Sequence, residues 1–166
     1  QKFLNLDMMT GDAVENKSAG FFEDSQGTIW VSLRTGVITA IDPETFKIKK
    51  HFFETENGDY FSRLWFEPEN NLYLASAING GLFYLDMETD SKVPFTPSYN
   101  PDLAPFADRK IMGVAKVDNS SLCISCEDGT LWIVNPYERD YCQLPLQAKN
   151  SEQYRFRKVF VVGEDI

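Results

Sequence analysis

Histidine is nearly absent from this chain: His51 stands alone among 166 residues. One imidazole makes no metal centre without carboxylate or thiolate partners. No Gly-rich phosphate cradle or nucleophile elbow accompanies it, so no catalytic residue, metal site or cofactor is expected. Cysteine is scarce too. Cys123, Cys126 and Cys142 are an odd number, which supports no disulfide framework and leaves the redox compartment open. Positive charge is in short supply, with 16 basic against 25 acidic residues and a net charge of −9. Binding a phosphate backbone needs clustered Lys and Arg; Arg155, Arg157 and Lys158 are too few, so no nucleic acid contact is expected. No apolar run approaches the roughly 18 residues that span a bilayer. Neither an initiator Met nor a signal-peptide pattern is present. The chain therefore reads as a mature or excised piece of something longer, reaching a membrane only through parts it does not contain.

What is present is apolar and aromatic. Hydrophobic residues make up 43% and aromatics 14%, ample for one packed core. The stretch "GFFEDSQGTIWVSLRTGVITAIDPETFKIKKHF", from Gly20 to Phe52, has two later counterparts. They are "RLWFEPENNLYLASAINGGLFYLDMETDSKVPF" from Arg63 and "GVAKVDNSSLCISCEDGTLWIVNPYERDYCQLPL" from Gly113. Ile29-Trp30, Leu72-Tyr73 and Leu122-Cys123 share a position, as do Asp42, Asp86 and Asn135; the intervals run from 43 to 50 residues.

Each unit carries the same punctuation. A polar turn comes first (Asp24 to Gly27, Pro68 to Asn71, Asp118 to Ser121). A short Gly-containing loop follows (Arg34 to Gly36, Ile78 to Gly81, Glu127 to Gly129). The last turn begins at Asp42, Asp86 or Asn135, where the side chain accepts local backbone bonds. Three connections make four strands, in the first unit roughly 19–23, 28–33, 37–42 and 46–53. The runs "TIWVSL" and "VITAI" lack clean alternation, as in sheets covered on both faces. A period of 40 to 50 residues built from short strands predicts propeller blades; a sandwich is the alternative, but it does not require turns repeating in register. The expected fold is all-β: a partial β-propeller of four-stranded antiparallel blades at about 19–53, 62–95 and 111–146. Residues 1–7 would form an outer strand of a neighbouring blade and 156–166 the start of a further one. Closed rings need about four to eight blades, so 1–166 is expected to be a fragment of a larger propeller.

These residues resemble the two-component regulator propeller repeat. Glu23-Asp24, Gly27, Ile29-Trp30, Gly36 and Asp42-Pro43 carry the likeness in the first unit. Leu72, Gly80-Gly81-Leu82 and Asp86 carry it in the second, and Gly129, Leu131 and Asn135-Pro136 in the third. The second unit departs by lacking the Trp of strand two, and the third lacks both that Trp and the double Gly. The resemblance implies the periplasmic sensor region of a hybrid two-component histidine kinase. It implies a homodimer in the full-length receptor, an oligosaccharide ligand and control of transcription through parts of the protein absent here.

Individual candidates read mostly as structure. His51, on an outer strand beside Phe52 and Phe53, reads as a surface or packing residue. Cys123 and Cys126 have the C-x-x-C spacing, but residues three apart on a strand point to opposite faces. Cys142 lies two strand spacings away, about 10 Å, beyond disulfide reach. The carboxylate pairs Glu23-Asp24 and Glu127-Asp128 border predicted turns. Asn16 and Asn119 fit the glycosylation acceptor pattern. Trp30 and Trp132 fall within strands and read as blade packing.

In an up-and-down blade, the loops between strands two and three share a face with the inter-blade links, and long links tend to carry function. That face is expected to collect Arg34, Thr35, Asn79, Glu127 and Asp128 with Tyr60, Arg63, Tyr99, Arg109, Lys110, Tyr154 and Arg155. Aromatic faces cover the C–H surface of a sugar while polar groups bind its hydroxyls; the same set suits a protein interface. A non-catalytic ligand sensor is the leading expectation. A scaffold or dimerisation propeller is the second, and a propeller lyase or hydrolase the third.

Overall fold

The computed structural model describes residues 18–53 and 59–145. The strands expected at 1–7 and 156–166 lie outside the described residues. Among the described residues, twelve strands form three four-stranded antiparallel sheets, each in sequence order. The first holds β1 (Ser18–Glu23), β2 (Ile29–Leu33), β3 (Val37–Ile41) and β4 (Ile48–Phe52). The second holds β5 (Phe61–Glu67), β6 (Leu72–Ala77), β7 (Leu82–Asp86) and β8 (Ser91–Pro94). The third holds β9 (Ile111–Lys116), β10 (Leu122–Cys126), β11 (Leu131–Asn135) and β12 (Asp140–Gln143). The fold is the expected all-β array of propeller blades.

The turn between the third and fourth strands is built the same way three times. Asp42 Oδ1 accepts from the Glu44 and Thr45 N–H groups, both at 2.9 Å. Asp86 Oδ1 takes Glu88 and Thr89 at 2.8 and 3.2 Å, and Asn135 Oδ1 takes Tyr137 and Glu138 at 3.0 Å each. The Thr45 N–H at Asp42, and at Asp86 the Thr89 hydroxyl followed by the Glu88 and Thr89 N–H groups, hold these two carboxyls below their ordinary range. Four residues on, each turn places a non-glycine residue in the left-handed region: Phe46 at φ 55°, Asp90 at 52° and Arg139 at 53°. A side chain there costs energy, yet all three blades accept it in the same place.

Burial explains why the strand runs do not alternate. β2 is buried from Trp30 to Leu33, β6 nearly throughout, and β10 completely. The second strand of each sheet is thus covered on both faces. The last strands, β4, β8 and β12, are mostly exposed.

Contacts divide the described residues into two compact units, one of 18–53, 59–75 and 85–92, the other of 76–84 with 93–145. In the first, the face of β1 and β2 that carries Phe22 and Trp30 meets the second sheet. Phe22 lies 5.4 Å from Trp65, and Trp30 meets Phe66 edge-on at 4.8 Å. Fully burying one such ring stabilises by about 1.5–3 kcal/mol. Gly20 permits the approach, because a Cβ there would stand 3.0 Å from the Ser62 carbonyl oxygen.

His51 is in this core, only 2% exposed, with its Nδ1 2.8 Å from Asp90 Oδ1; the packing half of its expectation holds and the surface half does not. Asp24 and Trp30 are joined likewise: the indole Nε1 donates to Asp24 Oδ2 at 2.7 Å, while Asp24 Oδ1 caps Gln26 and Thr28. Of the Glu23-Asp24 pair, Asp24 serves the turn and Glu23 is the exposed end of β1.

The second unit centres on Phe95, Phe106, Trp132 and Tyr141, whose rings lie 5.6–6.4 Å apart in successive contacts. Phe106 comes from the long link before β9. Tyr84 donates to the Pro136 carbonyl at 2.7 Å, and burial pushes its phenol up to about 12 against the opposing pull of Arg139.

Candidate functional site

In the second unit three backbone segments converge where β10 turns into β11. The tight turn between β6 and β7 places Asn79 next to Gly80 and Gly81. The Gly81 N–H donates to the Arg109 carbonyl at 3.2 Å, and a Cβ on Gly80, at φ +127°, would stand 3.0 Å from the Ala107 carbonyl. The end of the link preceding β9 supplies Arg109 and Lys110. The β10–β11 turn supplies Glu127 and Asp128, and its Glu127 N–H donates to the Lys110 carbonyl at 2.9 Å.

Side chains complete the cluster. Arg109 Nη1 pairs with Asp128 Oδ2, its Nε donates to the Pro105 carbonyl at 3.2 Å, and its guanidinium lies 5.0 Å from the Trp132 ring centroid. Thr130 Oγ1 donates to Asp128 Oδ1 at 2.6 Å and accepts from the Trp132 indole at 2.8 Å. Lys110 stands 3.7 Å from Glu127. The result is a flat cation held between an aromatic face and a carboxylate, with both acidic groups half-exposed. The guanidinium presents planar N–H donors, which suit the hydroxyls of a polyhydroxylated ring or a partner protein's polar side chains; the Trp132 ring beneath it is buried. Beside it, Gly129, Thr130, Gln143, Leu144 and Pro145 line a shallow depression.

The expected face is therefore assembled in part. Asn79, Arg109, Lys110, Glu127 and Asp128 come together. In the first unit, Arg34 in the β2–β3 turn lies over the Tyr60 ring at 5.6 Å, next to exposed Thr35. Arg63 is half-buried and donates to the Ser62 carbonyl at 2.7 Å. Tyr99 is not with the others. Ser98 N–H donates to the Arg139 carbonyl in the β11–β12 turn at 2.9 Å, and Tyr99 stacks on Tyr141 of β12 at 6.5 Å. The link reaches the opposite end of the third sheet before returning to Arg109, a course its length permits and its sequence does not mark. Tyr154 and Arg155 lie outside the described residues.

Trp132 is buried against Phe106 and Tyr141, as its packing reading expected, and it also lies under the Arg109 guanidinium. A signal for it existed. Gly129-Thr130-Leu131-Trp132 repeats Gly27-Thr28-Ile29-Trp30, and in both places the indole N–H is tied back to the preceding turn, directly to Asp24 or through Thr130 to Asp128. The first copy enters a second strand and the second a third strand, so aligning the units by strand order hides it.

Cys123 and Cys126 are both buried on β10, where the pairing with β9 shifts between Ser125 and Cys126. Burial pushes the Cys126 thiol up to about 11, against the opposing Thr130 hydrogen bond. Cys123 and Cys142 flank Ile133 of the intervening strand, two strand spacings apart.

No family model matches the chain, and no curated protein matches it. Solved structures do. The extracellular domain of BT4673 from B. thetaiotaomicron, a protein assigned to the one component or hybrid two component systems, matches in two structures. One has 14% identity and a TM-score of 0.64 over 93% of this chain and 20% of that one. The other has 16% identity and a TM-score of 0.57 over 87% and 18%. The WD40 domain of Neurospora crassa Pan2 matches at 7% identity and a TM-score of 0.59, over 93% of this chain and 44% of that one. This chain thus spans about a fifth of the BT4673 domain. At these identities the likeness defines the fold, a β-propeller arrangement of four-stranded blades.

Proposed function

We propose that this chain is a non-catalytic, ligand-sensing propeller segment of a periplasmic two-component receptor. It would read an oligosaccharide and control transcription through the full-length protein. The observation that carries the reading is the Arg109 cluster: a guanidinium fixed on Trp132 by Asp128, with Asn79, Lys110 and Glu127 around it. Its donors are oriented before any ligand arrives, which lowers the ordering cost of binding. Arg34 over Tyr60 would supply a similar cation–aromatic pair from the first unit. The likeness to the BT4673 extracellular domain supports the receptor context. In the full receptor, a homodimer, ligand contact would act by its differential affinity for two arrangements of the subunits.

A scaffold or dimerisation propeller is the second reading, favoured by the internal pairing of Arg109 with Asp128, which serves a turn as well as a ligand. Thermal shift against a glycan panel separates the two. Sensing requires a glycan that raises the melting temperature of wild type and does so less for Arg109→Lys. A panel without any shift leaves the scaffold. Conversion of a bound glycan to products would instead show an enzyme.

A further inference from the structure

The Arg109 cluster holds more hydrogen-bonding capacity than its internal pairs use. A guanidinium carries five N–H donors. Arg109 directs Nε to the Pro105 carbonyl and one Nη1 hydrogen to Asp128. The second Nη1 hydrogen and both on Nη2 have no partner among the described residues. Asp128 Oδ1 is occupied by the Thr130 N–H at 3.0 Å and the Thr130 hydroxyl at 2.6 Å. Asp128 Oδ2 takes Arg109 and has a lone pair left. Lys110 and Glu127 stand 3.7 Å apart, an attraction of charges beyond hydrogen-bond reach. The ammonium donors and the Glu127 oxygens are thus open among the described residues, on side chains 49% and 55% exposed.

Donors and acceptors interleave. Arg109 and Lys110 are neighbours on one segment, Glu127 and Asp128 on the other. The Glu127 N–H, donating to the Lys110 carbonyl at 2.9 Å, ties the two together. Two cations face two anions, so the cluster carries no net charge. A sugar hydroxyl donates and accepts at once, and a row of hydroxyls can use both kinds of group. An anionic ligand can use only half of them. Its carboxylate or sulfate would gain Arg109 and Lys110 but stand beside Asp128 and Glu127, on a chain of net charge −9. Like charges so placed exclude a ligand that the cations alone would accept. Trp132 is buried beneath the guanidinium, so contact runs through hydroxyls and not through stacking on that ring.

We infer that the Arg109 cluster selects neutral glycans, binding adjacent hydroxyls, and rejects glycans that carry uronate or sulfate groups. Glu127 is the selecting residue, because it is the anion least committed to its own turn. This selection rests on the oligosaccharide reading and adds the charge class of the ligand.

The test is titration calorimetry of the 166-residue chain with two sets of probes. One set is neutral: trisaccharides of glucose, mannose and xylose. The other is anionic: trigalacturonate and a heparin tetrasaccharide. A neutral trisaccharide is expected to bind, and the anionic probes to bind more weakly or not at all. Glu127→Gln should weaken the neutral ligand about fivefold and strengthen trigalacturonate, with circular dichroism confirming that the variant is folded. Preference of wild type for an anionic probe, or a Glu127→Gln variant that leaves both affinities unchanged, overturns the inference and leaves the oligosaccharide reading standing. Binding of no probe from either set removes that reading and the inference with it.

Discussion

His51 and Asp90 join the first two blades through a contact of 2.8 Å, between an imidazole that is 2% exposed and a carboxylate from a left-handed turn residue. Burial of Asp90 opposes its charge, but the Phe52 N–H, His51 and Lys49 outweigh it and hold the carboxyl below the ordinary aspartate range. The carboxylate therefore adds stability that is complete above that range and is lost as pH falls through it. Asp90→Asn should cost about 1–3 kcal/mol near neutral pH. The difference from wild type should shrink in acid, as read from urea midpoints at several pH values. A pH-independent difference would mean that the charge of Asp90 contributes nothing.

Trp30→Phe tests the buried bond to Asp24. The ring fits, but a carboxylate oxygen loses its donor, which should cost about 1.5–3 kcal/mol. Asp24→Ala should cost more, because the turn bonds to Gln26 and Thr28 go as well. Urea denaturation of both variants gives the order.

Most of the blade pattern was legible, for a physical reason. The Asx turns at Asp42, Asp86 and Asn135 and the doubly covered second strands depend on local hydrogen bonds and on burial, both of which leave marks in sequence. His51–Asp90 and Arg139–Tyr84 left none. Each joins residues far apart in the chain whose meeting is set by how sheets stack. Tyr99 was placed on the wrong end for a related reason, since a 15-residue link from 96 to 110 does not declare its path.

Tyr84 should titrate late. With its phenol pushed up to about 12 and an unfolded tyrosine at about 10, the unfolded chain loses its proton first. Stability should then fall as pH rises across that interval, and Tyr84→Phe should remove part of the fall. An absorbance titration of phenolate in wild type and Tyr84→Phe identifies the group.

Thiol reactivity should be uneven. Cys142 is exposed, whereas Cys123 and Cys126 are buried with raised thiols, and only the thiolate reacts. A colorimetric thiol reagent should modify Cys142 quickly in the native protein and the other two only in denaturant. Fast modification of Cys126 in native protein would contradict the packing of β10.

The blade pattern itself is tested most directly by nuclear Overhauser contacts across the strands. Backbone contacts are expected from Trp30 to Phe22 and Ala40, and from Trp132 to Ile124 and Gln143. Backbone pairing of β2 or β11 with a strand of another sheet would contradict it.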